Sequence, residues 1–127
     1  EKVRRRALVM VISDFFCELG PLLNAFQHLR FQKHDMAIFQ LLDRAELDFQ
    51  FDRPVRFVDL ESSLSIVTEP STIRAEYLRQ FNLFLEALRG GCHEFGADYR
   101  RVVTDQNCER VLADFLVERA QLAASAP

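Results

Sequence analysis

Two short apolar runs constrain the fold of this chain more than any other feature. Ala7-Leu-Val-Met-Val-Ile12 has no polar interruption, and Met36-Ala-Ile-Phe-Gln-Leu-Leu42 is interrupted only by Gln40. Both are too short for a buried helix, and polar residues close them: Ser13 and Asp14 after the first, Asp43 after the second. Such runs read as strands covered on both faces, as in a parallel sheet flanked by helices. Between them Gly20-Pro21 opens a helical pattern in which Leu22, Leu23, Phe26, Leu29 and Arg30 share one side. A proline in the first turn costs nothing there, because its missing N–H would have no intrahelical partner. Strand, helix and strand at this spacing make one βαβ unit with a right-handed crossover.

The period then changes. Leu47, Phe49, Phe51, Val55 and Phe57 alternate with Asp48, Gln50, Asp52 and Arg56, the pattern of strands with one dry and one wet face, and Pro54 marks a break or an edge. With a turn at Glu61-Ser62-Ser63 and a returning strand from Leu64 to Thr68, residues 47–68 read as an antiparallel β-ribbon inserted into the parallel fold. Its dry face, Phe49, Phe51 and Phe57, is expected to be buried against the neighbouring helix. Thr68-Glu69-Pro70 supplies an N-cap candidate and a first-turn proline, and Ile73, Tyr77, Phe81, Phe84, Leu85 and Leu88 follow at helical spacing. The helix is read through Gly90-Gly91, because Cys92 and Phe95 continue its stripe and Gly96 is the better left-handed stop. Tyr99 to Val103 is a third parallel strand whose two arginines, Arg100 and Arg101, place it at an edge. Asn107 caps a last helix with Val111, Leu112, Phe115, Leu116 and Leu122 as its buried stripe, and Ala123 to Pro127 are expected to fray. The expected strand order is 8–12, 36–42, 99–103.

At 127 residues the chain is about one domain long, and 49% hydrophobic with 28% charged residues excludes disordered and collagen-like classes. A formal charge of -3 supplies no broad cationic face for nucleic acid; the basic run Lys2, Arg4, Arg5 and Arg6 reads as a solvated flank. No apolar stretch approaches the roughly 18 residues of a spanning helix, so no membrane contact is expected in this segment. Three scattered cysteines, Cys17, Cys92 and Cys108, form neither a disulfide framework nor a zinc motif and suit the reducing cytoplasm, and Cys17 is expected to be buried. A chain that begins at Glu1 is read as cut from something longer.

In an open parallel sheet, ligands bind beyond the carboxyl ends of the strands, where Ser13 with Asp14, Asp43, and Thr104 with Asp105 collect. Carboxylates and hydroxyls are suitable chemistry for Mg²⁺, yet Asp and Thr in such loops also cap backbone N–H groups. A receiver-like phosphorylation site lacks its lysine, since Lys2 and Lys33 are the only lysines. No glycine-rich phosphate loop is present, and Ser13 lacks the glycines of a nucleophile elbow. His28, His34 and His93 belong to the opposite end of the strands, which leaves the acidic ends without a base.

The phrase Arg6-Ala-Leu-Val-Met-Val-Ile-Ser-Asp14-Phe-Phe, followed by His34-Asp-Met-Ala-Ile-Phe, Val55-Arg-Phe-Val-Asp-Leu-Glu61, Thr68-Glu-Pro70 with Tyr77, and Tyr99 to Thr104-Asp105, resembles the C-terminal part of the uncharacterised von Willebrand factor A-like proteins encoded beside MoxR-type AAA+ ATPases. The resemblance implies an α/β fold. It would be the Rossmann-like half of a von Willebrand factor A-like domain, a truncated single domain over residues 1–127. A three-stranded parallel sheet would carry the inserted antiparallel ribbon and flanking helices. The metal site of such domains combines an Asp-x-Ser-x-Ser loop, a threonine and an aspartate after the fourth strand, and only the last has a counterpart, Asp14. Asp59-Leu-Glu-Ser-Ser63 belongs to the ribbon turn and does not replace the loop. Any Mg²⁺ is thereby left to the full-length protein, with no cofactor expected in this fragment. Lys33 stands where the family favours a helix-ending glycine. The implied function is a non-catalytic protein-interaction module that acts with a MoxR-type ATPase partner in assembly or metal insertion. Its strand-end surface would be Ser13, Asp14, Asp43, Thr104 and Asp105. The alternative is a Mg²⁺-dependent phosphoryl or nucleotide hydrolase on the same acidic ends. In the fragment the first strand would lack a neighbour on one side, and self-association through that edge is expected.

Overall fold

The computed structural model describes residues 6–58 and 65–124. The elements run β1 (Leu8–Ser13), α1 (Leu19–Phe31), β2 (Asp35–Leu42), α2 (Arg44–Asp48), β3 (Val55–Val58), β4 (Ser65–Thr68), α3 (Pro70–Glu94), β5 (Asp98–Val103) and α4 (Cys108–Ala124). β1, β2 and β5 form a three-stranded parallel sheet in the order β1-β2-β5, and β3 and β4 form a separate antiparallel pair. This is a Rossmann-like half-sheet with an inserted hairpin, in the expected strand order. The turn expected at Glu61-Ser62-Ser63 and the basic run Lys2 to Arg5 lie outside the described residues.

The period of the apolar residues explains the layers. β2 is buried on both faces, from Met36 to Gln40 without interruption, because helices cover it on both sides. Met36 and Ile38 pack with Phe15, Phe26, Leu88 and Cys92 under α1 and α3. On the other face Ala37 and Phe39 pack with Val102 and Phe115 of α4. β1 departs from the expectation of a strand covered twice. Its odd residues are half-buried, whereas Leu8, Met10 and Ile12 are 40, 41 and 56% exposed, because α4 lies over β2 and β5 and stops short of β1. The stripe expected on α4 is narrower for the same reason: Phe115 is its one buried residue, and Leu112, Leu116 and Leu122 are exposed.

β5 occupies the edge its arginines require. Arg100 folds back over the Phe115 ring, 5.1 Å from its centroid, and pairs with Glu118 of α4. A guanidinium on an aromatic face keeps its charge while burying its stem. At the opposite end of the strands Asp35 receives Arg6, Arg30 and Arg119 at 3.3, 3.3 and 3.6 Å. Partial burial pushes its pKa up, but the three guanidiniums outweigh that and hold the carboxyl below its ordinary 3.8.

α3 continues through Gly90-Gly91 to Glu94, as its stripe required, and Gly96 takes the left-handed stop at φ 65°. Gly91 is buried where α1 crosses α3: a Cβ there would lie 2.6 Å from Leu23 Cδ2, whereas one at Gly90 would meet nothing. The helix starts one residue later than Thr68 implied, with Glu69 at the N-cap and Pro70 in the first turn. Lys33 is left-handed, at φ 63°, and carries about 1–2 kcal/mol of strain that glycine would avoid. Asn107 caps α4 by accepting the Arg110 N–H at 2.9 Å.

The ribbon is the main correction. Residues 47 and 48, read as its first strand, instead end α2, and the strands are confined to Val55–Val58 and Ser65–Thr68. Asp43 and Glu46 form a reciprocal capping box, so a helical turn starts directly after β2 and competes with extension. Phe49 ends α2 in a left-handed conformation, φ 45°, that aims its ring at α3. It is buried and stacks on Tyr77 at 4.1 Å, with Phe51 and Phe57 half-buried around it. Of the expected dry face, Phe49 alone stacks on α3; Phe57 joins it through Phe49, 5.7 Å away, and its cross-strand partner Ile66 stays 66% exposed.

Candidate functional site

The carboxyl ends of the parallel strands hold two hydrogen-bonded groups. At the end of β1, Ser13 Oγ accepts the Phe15 N–H at 3.0 Å and Asp14 Oδ1 accepts the Phe16 N–H at 3.2 Å. These side chains close the turn locally, and Phe15 is left-handed within it, at φ 60°. At the ends of β2 and β5, Asp43 Oδ1 accepts the Ala45 N–H at 2.8 Å, while its Oδ2 accepts the Thr104 hydroxyl at 3.1 Å. Asp105 takes a fork from Arg44, Oδ2 accepting from Nε at 3.0 Å and from Nη2 at 2.9 Å and Oδ1 accepting from Nη2 at 3.2 Å, which raises the guanidinium pKa.

Asp43, Thr104 and Asp105 are thus brought together through Arg44 and the start of α2. Ser13 and Asp14 are not part of that group. β2 separates β1 from β5, and two strand spacings are about 9–10 Å. All five side chains sit at the surface, Ser13 half-buried and the rest exposed.

This arrangement does not suit the ion that a von Willebrand-type site would hold. Asp105 is neutralised by Arg44, both oxygens of Asp43 are engaged, and Asp14 is turned toward a backbone N–H. Among the described residues no group of three His, Cys, Asp or Glu side chains converges as a metal site. The histidines are at the other end: buried His34 precedes β2 and accepts the Ala7 N–H at 3.3 Å, and His28 meets the Gln32 side chain. Cys17 is exposed rather than buried, because the left-handed Phe15 sends its own ring into the core in that place.

Three residues of this region escaped the sequence reading. Gln40, fully buried in β2, donates to the Asp14 carbonyl at 3.2 Å and accepts the Tyr99 hydroxyl at 2.5 Å. It is the strut that fixes the Asp14 turn over the sheet, and a lone amide within an apolar run was its signal. Arg44 and Glu46 were signalled by Asp43-x-x-Glu46, a capping-box spacing that lies between the residue read as closing the second strand and the ribbon read from Leu47.

Sheet, hairpin and strand-end turns together define a von Willebrand factor A-like half-domain. The family model of the protein of unknown function DUF58 matches residues 1–83, and the chain belongs to that family. The match ends within α3, so β5 and α4 follow it. Neither the curated proteins nor the solved structures contain a significant match. Among the described residues no helix is long and apolar enough to cross a membrane.

Proposed function

We propose that this chain is a non-catalytic protein-interaction module of the cytoplasm whose strand-end surface, Ser13, Asp14, Asp43, Thr104 and Asp105, docks a protein partner. The reading takes residues 1–127 as one half of a von Willebrand factor A-like unit. Its partner is a MoxR-type AAA+ ATPase acting in assembly or metal insertion, as the family resemblance suggests. The observation that carries it is the internal satisfaction of the acidic ends. Their carboxylates are spent on caps and on the Arg44 fork, which leaves a hydrogen-bonded, exposed polar surface without a converging base or ligand set among the described residues. A pre-ordered polar surface suits recognition, because little side-chain freedom is lost on docking.

The test is calorimetric titration of the chain with a MoxR-type ATPase, beside the double variant Asp14→Asn and Asp105→Asn. Asparagine at position 14 can still accept the Phe16 N–H, so the turn survives while the charge goes. Loss of binding in the variant is the expected result; undiminished binding refutes the strand-end surface. Titration with Mg²⁺ and Mn²⁺ serves the hydrolase alternative: micromolar binding abolished by Asp14→Ala would reverse the order of the two readings.

The same proposal includes pairing of the chain with a second copy through β1. Among the described residues that strand is bonded to β2 on one side alone, and its other edge adjoins exposed Leu8, Met10 and Ile12. Sedimentation at high micromolar concentration is expected to show association, and a monomer there counts against pairing.

A further inference from the structure

On the side of α2 away from the Arg44 fork lies a pocket of about 190 Å³ lined by Ala45, Glu46, Phe49, Phe51, Phe57 and Tyr77. Its rings meet in two orientations. Tyr77, Phe49 and Phe57 stack nearly parallel, at 4.1 and 5.7 Å between centroids, and Phe51 stands edge-on to Phe49 and Phe57 at 5.2 and 5.4 Å. The wall is thus almost wholly aromatic, and its one charged member is Glu46.

The Glu46 carboxylate is half-buried and fixed, because its Oε2 accepts the Asp43 N–H at 2.7 Å in the capping box. Among the described residues it has no ion-pair partner. Arg44, two positions earlier, is committed to Asp105, and Arg74 lines the adjoining cleft with Gln50 and Ser71. Tyr77 reports the charge beside it, since its phenol pKa is raised first by burial and then by Glu46. Aromatic faces carry negative quadrupole potential, and a carboxylate at their rim adds to it in a place where solvent screening is reduced.

A neutral apolar side chain would fill such a pocket and leave the carboxylate uncompensated, whereas a hydrated ammonium would surrender its shell to rings that cannot accept three hydrogen bonds. A guanidinium meets both demands: it is flat, weakly hydrated, stacks on aromatic faces and donates sideways to a carboxylate. We propose that this pocket takes an arginine side chain of a partner protein, its guanidinium lying on the aromatic rings and donating to Glu46. The inference does not rest on the strand-end surface, since no residue of the pocket belongs to that set.

The test is an NMR titration of the full chain with acetyl-Gly-Arg-Gly-amide and with its citrulline counterpart, which has nearly the same shape and no charge. Saturable shifts of the Phe51, Phe57 and Tyr77 ring resonances are expected, with citrulline binding about tenfold weaker. Glu46→Gln is expected to weaken the arginine peptide by a similar factor and leave the citrulline peptide unchanged. Glutamine still accepts the Asp43 N–H, so helical content by circular dichroism should be preserved. Equal affinity for the two peptides would show an apolar pocket and overturn the proposal. So would the absence of ring shifts, or shifts centred on Asp14 and Asp105. The variant Asp14→Asn and Asp105→Asn separates this pocket from the ATPase-docking surface: it should bind the arginine peptide like the parent chain, and weakened binding would likewise overturn the assignment.

Discussion

Gly90 and Gly91 are adjacent in one helix and make opposite predictions when replaced by alanine. Both substitutions relieve the same backbone cost, about 1 kcal/mol for an interior helical glycine. At Gly90 a Cβ would meet nothing within 4 Å, so the full gain should appear. For a domain of this size that is a rise in Tm of about 4 °C. At Gly91 the new methyl would lie 2.6 and 2.7 Å from the two Leu23 Cδ atoms, where carbon pairs prefer about 3.5–4.0 Å. Leu23 is half-buried between α1 and α3 and must swing by about 1 Å; overpacking of this kind costs about 1–3 kcal/mol. Gly91→Ala should therefore be neutral to about 2 kcal/mol destabilising, and its Tm should fall about 4–11 °C below that of Gly90→Ala. Thermal unfolding followed by circular dichroism reads both. In a Leu23→Ala background the clash is gone, and Gly91→Ala should then stabilise the protein. Equal stabilisation by the two single substitutions would refute the close crossing of α1 and α3.

Further outcomes follow from individual groups. Gln40→Leu leaves the Asp14 carbonyl and the Tyr99 hydroxyl without their partner and should destabilise the protein by about 2–4 kcal/mol, with amide exchange quickened in residues 14–18 first. Asp35 has its folded-state pKa depressed, so its contribution is present above the unfolded value and is lost as pH falls through the folded one. Chemical denaturation of Asp35→Asn should accordingly show a shallower loss of stability below about pH 4 than the parent chain. Cys92 is fully buried and burial pushes its thiol up to about 11, whereas Cys17 and Cys108 are exposed. Maleimide should label Cys17 and Cys108 in the native protein and reach Cys92 only on unfolding; rapid labelling of Cys92 would contradict the packing of α3 on β2.

The parallel sheet was legible because β2 is covered on both faces, and an unbroken apolar run has few other uses. α3 was legible through its glycines because a stripe of aromatic and aliphatic residues outweighs two local propensities. The first half of the ribbon was misread for the converse reason. Leu47, Phe49 and Phe51 have the spacing of a strand, but the Asp43 cap and the left-handed Phe49 bring Leu47 and Phe49 inward from a helical turn and its stop. Alternation records which residues are inside, and a helical turn ended in a left-handed residue can produce the same record. The candidate site was legible as a set of strand ends. Its internal wiring was not, because the Arg44–Asp105 fork and the Thr104–Asp43 bond each span 61 positions of sequence and depend on β2 and β5 being neighbours.

The open face of β1 limits what can pair with its edge. Phe115 marks the side of α4 that meets the sheet, and Glu118 and Leu122 turn toward Arg100 and the β5 margin. At 100° per residue Leu112 and Leu116 then fall on the opposite flank of α4, toward β1. Leu8, Met10 and Ile12 alternate with Val11, which packs under α1 and α3, so they form an exposed apolar shelf on the α4 side of β1, and Leu112 and Leu116 are exposed as well. A bare peptide strand added to β1 would satisfy the N–H and C=O groups that have no partner among the described residues but leave that shelf wet. A second copy related by a two-fold axis normal to the sheet would pair the two β1 strands antiparallel and keep both shelves on the same side. The two α4 helices would then flank a common cleft with apolar residues on its floor and walls. Covering backbone and shelf together gives the second copy, or any strand that brings its own apolar layer, an advantage over a lone peptide of about 25 cal/mol for each Å² of the shelf removed from water.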